Sequence, residues 1–339
     1  HTIQGDGLTG ALTYPVQVEI KGDSIAVKFD GAPPQLERGG SNCTLTYTKA
    51  HASYPLKCIF SPEIPGNAGC YKPIAVEAPA GSILNCDRPM SVNIRTRTGW
   101  YVGPNIYAAL AKATPYRVQA FTGLPSSAQF YGVDENGKLY SDHLFQGGGQ
   151  GASAAGDGKS ALLYPTSAAN TSIEMFEARV PALVLRKELV IDSGGAGRFR
   201  GGLGQVVSTR KLKEDRNSCQ IGIFPNGIHS EVQGLFGGKS GGQSRGIIHR
   251  TDGEQHDVGT GELTAIQEMA EVAELYIAGG SGYGDPLTRD YEYVRNDVLQ
   301  GYISHECAER VYGCKFKKDG TIDIDATETL RKLMQDSTS

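Results

Sequence analysis

The stretch Asp192-Ser-Gly-Gly-Ala-Gly-Arg-Phe-Arg-Gly-Gly-Leu-Gly204 contains six glycines in thirteen residues. It is one of four glycine clusters, and the others lie at residues 147–158, 234–242 and 279–284. The chain has 45 glycines in 339 residues, which is about twice the usual share. Glycine allows positive φ and a close approach of two backbones, at roughly 0.5–1 kcal/mol per site in regular structure. The clusters therefore predict tight turns, closely packed backbone, or both.

The first third of the chain contains one clear hairpin pattern and two helix patterns. Apolar and polar residues alternate on both sides of a Lys-Gly-Asp turn in residues 11–30, which predicts a β-hairpin. Residues 44–60 and 103–112 favour helices. Pro55 lies inside the first of these, so we expect a break or a kink there.

The rest of the chain is richer in strand patterns. Residues 183–191, 206–224 and 243–278 favour strands, and residues 290–311 favour a helical hairpin followed by a polar, peripheral tail. The fold class predicted is α+β, with a β-rich second half, many glycine-rich turns and a C-terminal helical segment.

Three regions follow from this pattern. They are a hairpin-plus-helix region at 1–115, a glycine-rich, β-dominated region at 116–288, and a helical segment with a tail at 289–339.

Composition excludes several classes of protein. The net charge is −4 and the isoelectric point about 6.0, which argues against a general nucleic-acid surface. The sequence contains no run of 18 apolar residues, so we expect no membrane span. The seven cysteines are odd in number and include no Cys-x-x-Cys pair, which favours free thiols and a cytoplasmic location over a zinc ribbon. A chain that opens at His1 without Met suggests a processed or truncated polypeptide.

Two glycine motifs that suggest nucleotide binding fail on spacing. Gly237-Gly-Lys-Ser240 lacks the upstream glycine of a phosphate-binding loop, since position 233 is Gln, and no helix pattern follows it. Gly202-Leu-Gly204 lacks the third glycine of a dinucleotide fingerprint and precedes a strand pattern.

The histidines supply the acid/base candidates. His143 follows Ser141 and Asp142 beside the first glycine cluster, but adjacent strand residues point to opposite faces, so the three do not predict a triad. His229 lies in a loop before the third cluster. We predict both as catalytic and prefer His143, because the usual histidine pKa lies near about 6.5. No two histidines have helical ligand spacing, so we expect no metal site made by this chain alone.

Paired arginines are candidate anion ligands. Arg198 and Arg200 flank Phe199, and Arg95 and Arg97 repeat the pattern. A guanidinium pair suits a carboxylate or a phosphate, although a subunit interface or a structural salt bridge to Asp192 is favoured for the first pair.

The glycine clusters and their surroundings resemble one family. The chain is similar to the B-type subunit of ATP-dependent hydantoinases, in its C-terminal portion; relatives of that family include N-methylhydantoinase, 5-oxoprolinase, caprolactamase, and the acetone and acetophenone carboxylases. The segments that carry this resemblance, in order, are Ser41–Cys43, Pro62–Asn85, Asp192–Gly204, Gly234–Lys239, Gly279–Leu287 and Val294–Gly313.

The resemblance implies a role inside a larger enzyme. An A-type partner subunit is expected to bind ATP with Mg²⁺. Family B-type chains are longer, so we expect another chain to supply the missing N-terminal part. A divalent metal such as Zn²⁺ or Mn²⁺ is possible in the complex but is not expected on this chain.

The resemblance also ranks the activities. The family's hydantoinase-like members carry Glu-Arg-Arg before the third cluster, whereas this chain reads Phe224-Pro-Asn-Gly-Ile-His-Ser-Glu-Val232. This favours a carboxylase acting on a ketone and bicarbonate over a cyclic-amide hydrolase. A non-catalytic scaffold subunit and a solitary binding protein are the alternatives. Residue type and loop context select the substrate-binding candidates Asn42, Arg95, Gly147, Gly148, Gly149 and Arg198.

Overall fold

The computed structural model shows two compact units, residues 1–119 and residues 120–339. Within the described part of the chain, no helix is both long and apolar enough to cross a membrane. The residues that the structure describes are 2–3, 11–134, 136–166, 168–212, 219–224, 233–258, 263–266 and 268–337.

The first unit contains two small sheets, one of two strands and one of three, and four helices among its described residues. The elements are β1 (Thr2–Ile3), β2 (Leu12–Thr13), β3 (Gln17–Lys21), β4 (Ser24–Lys28), α1 (Leu45–Phe60), α2 (Ala68–Tyr71), β5 (Ile74–Glu77), α3 (Thr96–Gly99) and α4 (Val102–Leu110). The predicted hairpin is confirmed as β3 and β4, and β5 adds to β4 in parallel.

Helix α1 is the longest helix described. It begins after Thr44, whose hydroxyl accepts a hydrogen bond from the backbone N–H of Tyr47, as a helix N-cap does. The helix continues past Pro55 to Phe60 without the expected break. Pro55 lies on the buried face of the helix with Leu56 and Ile59, so packing against the rest of the unit offsets the hydrogen bond that proline cannot donate.

The second unit contains two antiparallel sheets. Its elements are β6 (Ser126–Val133), β7 (Leu139–Gln146), α5 (Ile173–Glu177), β8 (Ala182–Leu189), β9 (Gln205–Lys211), β10 (Cys219–Phe224), β11 (Arg245–His249), β12 (Gln255–Asp257), β13 (Leu263–Ile266), β14 (Val272–Tyr276), α6 (Tyr291–Leu299), α7 (His305–Arg310) and α8 (Ile324–Asp336).

The two sheets share one apolar core. Their strand orders are β13-β10-β6-β7 and β12-β11-β14-β9-β8. Phe130 and Leu144 from the first sheet belong to the same buried cluster as Val207 and Leu275 from the second. Burying apolar faces against each other is the main stabilising term for such a pair of sheets. The α+β class and the β-rich second half are confirmed.

The four glycine clusters come together as a bundle of extended, non-strand segments, called here the glycine bundle (residues 147–151, 193–204, 234–242 and 277–284). Along the last segment, the backbone N–H groups of 277, 280 and 283 donate to the carbonyl groups of 205, 202 and 199. Those of 279 and 282 donate to 242 and 239. Residues three apart therefore donate their hydrogen bonds to the same neighbouring segment, and three residues is the period of a polyproline II helix. In a β-strand the directions repeat every two residues instead.

Close approach explains most of these glycines. An added Cβ at Gly149, Gly201, Gly279 or Gly280 would come closer than 3.0 Å to a backbone carbonyl oxygen of another segment. None of these four has a φ in the left-handed region, whereas Gly237 does. The bundle thus uses glycine mainly because neighbouring backbones leave no room for a side chain.

A buried charge network joins the glycine bundle to the C-terminal helices. The Arg289 guanidinium donates to both carboxylate oxygens of Asp157 at 2.7 Å and to Asp297 at 2.8 Å. Arg200 donates to Asp297 at 3.1 and 3.3 Å. Arg289 is 1% exposed, and pairing of this kind is what makes a buried charge tolerable.

Candidate functional site

The second unit holds the predicted His143. It lies exposed on β7, opposite Gln129 of β6. The neighbouring Asp142 carboxylate accepts hydrogen bonds from Arg179 at 2.6 Å and from the His143 backbone N–H at 2.8 Å. Asp142 is therefore engaged by Arg179 and does not orient the His143 ring. His229 lies outside the described residues, and both histidines stay predictions.

The predicted Gly147, Gly148 and Gly149 lie in the glycine bundle. The Gly149 N–H donates to the Ala278 carbonyl at 2.9 Å, and the Gly148 carbonyl accepts from Leu162 at 2.7 Å. These backbone groups hold neighbouring segments together. Substrate binding by these three residues stays a prediction.

The two arginines of the second glycine cluster separate. Arg198 is exposed, with its guanidinium carbon 5.7 Å from the centre of the Phe199 ring. Arg200 is buried and pairs with Asp297. The prediction of a salt bridge from this arginine pair to Asp192 is therefore wrong. Asp192 instead accepts a hydrogen bond from the Ser304 backbone at 2.8 Å.

In the first unit the structure brings the predicted Asn42 and Arg95 into one neighbourhood. The Asn42 side chain is fully buried; it accepts from the Leu36 N–H at 2.7 Å and donates to the carbonyls of Leu36 and Ser91 at 2.8 and 3.1 Å. These bonds satisfy both of its amide N–H donors. Asn42 therefore ties together the loops that precede α1 and α3, and Arg95 is the residue immediately before α3.

Arg95 forms a cluster with two residues of α1, called here the α1 cluster (Tyr47, His51 and Arg95). The Arg95 guanidinium carbon lies 5.3 Å from the centre of the Tyr47 ring, a cation–π distance. The rings of Tyr47 and His51 lie 4.4 Å apart at 48°. Tyr47 and His51 meet because they are four residues apart on one face of a helix.

Two neighbours fix the position of this cluster. A Cβ at Gly99 would clash with the Tyr47 ring, so only glycine leaves room for the ring there. The buried Cys43 thiol lies 3.5 Å from the Arg95 carbonyl oxygen. Burial raises the pKa of Cys43 to about 12, which keeps the thiol protonated and makes it a packing group and not a nucleophile.

Burial, followed by the charge of Arg95, lowers the pKa of His51 to about 4. Burial also raises the pKa of Tyr47. At neutral pH the cluster therefore presents a neutral imidazole, a neutral phenol and one guanidinium.

The polar atoms of the α1 cluster are available to a ligand. Arg95 donates one hydrogen bond, to the Val92 carbonyl at 3.2 Å. Among the described residues, the His51 ring nitrogens and the Tyr47 hydroxyl have no hydrogen-bond partner. A half-buried imidazole beside a fixed cation can bind an anionic oxygen and accept a proton from water.

Sequence reasoning found Arg95 but missed Tyr47 and His51. The spacing of four residues between them, within a predicted helix, was the available signal that they meet. This spacing gives no indication that Arg95, which is distant in sequence, lies beside them. No group of three or more His, Cys, Asp or Glu side chains able to hold a metal occurs among the residues that the structure describes.

The chain has one β-rich unit, which contains two packed sheets and the glycine bundle, and one smaller unit of helices and short strands. The sequence profile of the Hydantoinase B/oxoprolinase family matches residues 2–286. The chain belongs to this family, and the resemblance stated from the sequence is confirmed.

Relatives of known name extend this assignment. The chain is 31% identical over 345 residues to the caprolactamase subunit beta of Pseudomonas jessenii, covering 96% of this chain and 57% of that one. It matches the crystal structure of the ATP-dependent caprolactamase from the same organism with a TM-score of 0.81 at 28% identity, covering 94% of this chain and 56% of that one.

A second solved structure shares the fold. It is the nucleotide-free acetone carboxylase, matched with a TM-score of 0.78 at 20% identity over 97% of this chain and 49% of that one. The chain spans about half the length of the curated relatives it matches.

Proposed function

We propose that this chain is part of a multi-subunit, ATP-dependent enzyme that hydrolyses a cyclic amide. The observation that supports this most is the likeness to the caprolactamase beta subunit, which extends over 96% of the chain in sequence and 94% in structure. An A-type partner subunit binds ATP with Mg²⁺, and another segment or chain supplies the part of the B-type subunit that these residues do not span. Any Zn²⁺ or Mn²⁺ in the complex is held there.

The reaction would proceed in three steps. The γ-phosphoryl group of ATP is transferred to the amide oxygen while the amide nitrogen loses its proton, which makes the amide carbon a better electrophile and releases ADP. One water then adds to that carbon and the carbon–nitrogen bond of the ring breaks with a proton passing to nitrogen, which leaves a free amine and an acyl phosphate. A second water cleaves the acyl phosphate into a carboxylate and phosphate. Negative charge builds up on oxygen as each water adds, so a fixed cation beside the carbon stabilises the transition state.

The α1 cluster has the groups for the second step. Arg95 binds the anionic oxygen, and the neutral imidazole of His51 accepts a proton from the attacking water. Asn42 is a positioning residue, because it holds the loop that leads to Arg95. The exposed His143 and Arg198 stay candidates for contact with the remaining parts of the enzyme, and so does His229, which lies outside the described residues.

Carboxylation of a ketone is the second candidate. One observation favours it: the chain has no Glu-Arg-Arg stretch before the third glycine cluster, where residues 224–232 read Phe-Pro-Asn-Gly-Ile-His-Ser-Glu-Val.

The test is ATP-dependent turnover of the complex purified with its partner chains. Lactams and hydantoins without bicarbonate, and small ketones with bicarbonate, are compared by ADP release and product mass. Coupled ADP release on a cyclic amide alone supports the proposal. Turnover only with a ketone and bicarbonate replaces it with the second candidate.

Variants of the α1 cluster separate catalysis from scaffolding. We expect Arg95→Ala and His51→Gln each to lower kcat by about 100-fold, the scale of one acid/base or oxyanion group. Lys112→Ala, at an exposed lysine after α4, is the matched control. If all three variants keep turnover within a few-fold while the complex stays intact, this unit is a scaffold.

A further inference from the structure

Strand β5 lies at one edge of the β3-β4-β5 sheet, so only one of its two sides has a neighbouring strand. It pairs with β4 in parallel. The Pro73 and Glu77 carbonyl groups accept hydrogen bonds from the N–H groups of Ile25 and Phe29 at 2.8 and 3.1 Å. Backbone polar groups point to the two sides of a strand in turn, so Ala75, midway between Pro73 and Glu77, faces β4 as well.

The N–H and C=O groups of Ile74 and Val76 consequently point to the open side of β5. Among the residues that the structure describes, none of these four groups has a hydrogen-bond partner. Proteins usually blunt an open edge with charged residues, proline or a β-bulge, whereas the centre of β5 reads Ile74-Ala75-Val76. Two donors and two acceptors in a row therefore form a template for another extended strand.

A groove with a volume of about 690 Å³ lies between β5 and helix α1. Ala50, Ser53 and Tyr54 of α1 line one side, and Tyr71 and all four residues of β5 line the other. Because successive side chains of a strand point to opposite faces, this lining places the groove along the edge of β5 and not over one face. Tyr54 and Tyr71 remain 42% and 40% exposed, and grouped aromatic side chains of this exposure mark an interaction surface.

We propose that an extended segment adds to β5 as a further strand, with alternate side chains in the groove against α1. Four hydrogen bonds to the backbone of Ile74 and Val76 would hold it, as they hold a peptide at a free sheet edge. The side chains that face α1 are apolar, because they meet Ala50 and Tyr54. Those on the opposite face are polar, because Ala75 on that face of β5 is exposed.

The occupant of this edge is a segment of the B-type subunit that lies outside this chain. The chain covers 57% of the caprolactamase beta subunit and 56% of the solved caprolactamase chain, so a subunit of that length has a large further part. Four hydrogen bonds are too few to hold two separate proteins together. A segment of an assembly that is already held nearby loses much less entropy on binding. This inference rests on the proposed function only in that a further part completes the chain.

The test is amide hydrogen exchange, measured residue by residue, in this chain expressed alone and in the complex purified with its partner chains. In the chain alone we expect the N–H groups of Ile74 and Val76 to exchange freely, and those of Ala75 and Glu77 to be protected by β4. In the complex the exchange of the first two should slow at least about 100-fold. Equally fast exchange of Ile74 and Val76 in both samples overturns the inference.

Two variants of one residue test the backbone contact within the assembly. Ile74→Pro removes the outward N–H and leaves the bonds to β4, and proline is tolerated at such edges. Ile74→Ala is the matched control, because it shortens the side chain and keeps the N–H. We expect Ile74→Pro to raise the Kd for the co-purified partner chains at least about tenfold, and Ile74→Ala to change it less than about threefold. Native mass spectrometry over a dilution series measures both.

A third variant covers the case in which Ile74→Pro does not fold. Ala50→Arg fills the groove from an exposed position of α1, so it should weaken assembly to the same degree. Unchanged assembly of Ala50→Arg, or of a folded Ile74→Pro, overturns the inference.

A second copy of this chain is the competing occupant. Protection of Ile74 and Val76 that appears in the chain alone and rises with its concentration would assign the edge to self-association and overturn the inference. The proposed function fails separately, if the complex hydrolyses no cyclic amide. Protection of Ile74 and Val76 by a partner chain in such an inactive complex would leave this contact standing.

Discussion

The glycine bundle and the α1 cluster use the chain in opposite ways. In the bundle, backbone N–H and C=O groups bind one another, as Gly149 does with Ala278 and Gly280 with Gly202. In the α1 cluster, side chains do the contacting, and Tyr47 and His51 have polar atoms with no partner among the described residues. The most conspicuous feature of the sequence therefore holds backbone segments together, and the side chains proposed for the chemistry lie on a helix of ordinary composition and on the residue before α3.

The difference predicts how each region responds to mutation. A single added methyl group in the bundle contacts backbone atoms. Unlike a side chain, these atoms cannot change rotamer to make room for it. In the α1 cluster, by contrast, truncating a side chain is expected to lower activity and to leave the fold nearly intact. Stability and activity should therefore be lost in different regions of the molecule.

The largest effect is expected at the centre of the bundle. In Gly149→Ala the new Cβ would come closer than 3.0 Å to backbone atoms of residues 202 and 280, so two segments have to separate. We expect a loss of more than about 4 kcal/mol in the free energy of unfolding, or no folded protein. Urea unfolding of Gly149→Ala measures this. A loss below about 1 kcal/mol would show that the bundle is loosely packed.

The next effect is expected where the bundle meets the C-terminal helices. Arg289→Met removes the salt bridge of Asp157, which is 33% exposed, and leaves the buried Asp297 with Arg200 as its only cation among the described residues. Neither carboxylate becomes both buried and unpaired, so we expect a loss of about 2 kcal/mol, less than the cost of a fully broken buried pair. The matched control is Arg310→Ala, because the Arg310–Glu306 pair is exposed and should contribute less than about 1 kcal/mol. Urea unfolding measures both variants. Equal losses in the free energy of unfolding would mean that the buried network stabilises the protein no more than an exposed ion pair does.

The contrast between the regions also explains what the sequence could predict. Local patterns gave the β3–β4 hairpin, α1 and the α6–α7 pair, because alternation and caps act between near neighbours. Glycine content predicted close backbone packing, yet it did not identify which segments meet, since residues without side chains carry no pairing pattern. Arg200 pairs with Asp297 across 97 residues, and Arg95 reaches Tyr47 through folding of the first unit. Such long-range pairs have no local signal.

A smaller effect is expected in the α1 cluster, on the pH dependence of the free energy of unfolding. The pKa of His51 is lowered to about 4, whereas an unfolded histidine titrates near about 6.5. As pH falls between these two values, the unfolded chain binds a proton that the folded chain does not, so stability is lost, by up to about 1.4 kcal/mol per pH unit.

His51→Gln should remove this part of the pH dependence. Urea unfolding at about pH 7 and about pH 4.5 would show a smaller loss in the variant than in the unaltered protein. His143→Gln, at an exposed histidine on β7, serves as the comparison and should keep the full loss. Identical curves for all three proteins would show that His51 is as solvated as a surface histidine.

The smallest effect should have the opposite sign to the first. Gly66 lies in the first unit with a φ outside the left-handed region, and a Cβ there would make only an ordinary contact, 3.6 Å from the Tyr71 hydroxyl. Gly66→Ala restricts the unfolded chain without straining the folded one, so we expect a gain of about 0.4–1 kcal/mol. If urea unfolding instead shows a clear loss, the first unit requires glycine at an open position such as Gly66 and not only at Gly99, where a side chain would clash with Tyr47. The division between a backbone-packed bundle and a side-chain-packed unit would then have to be abandoned.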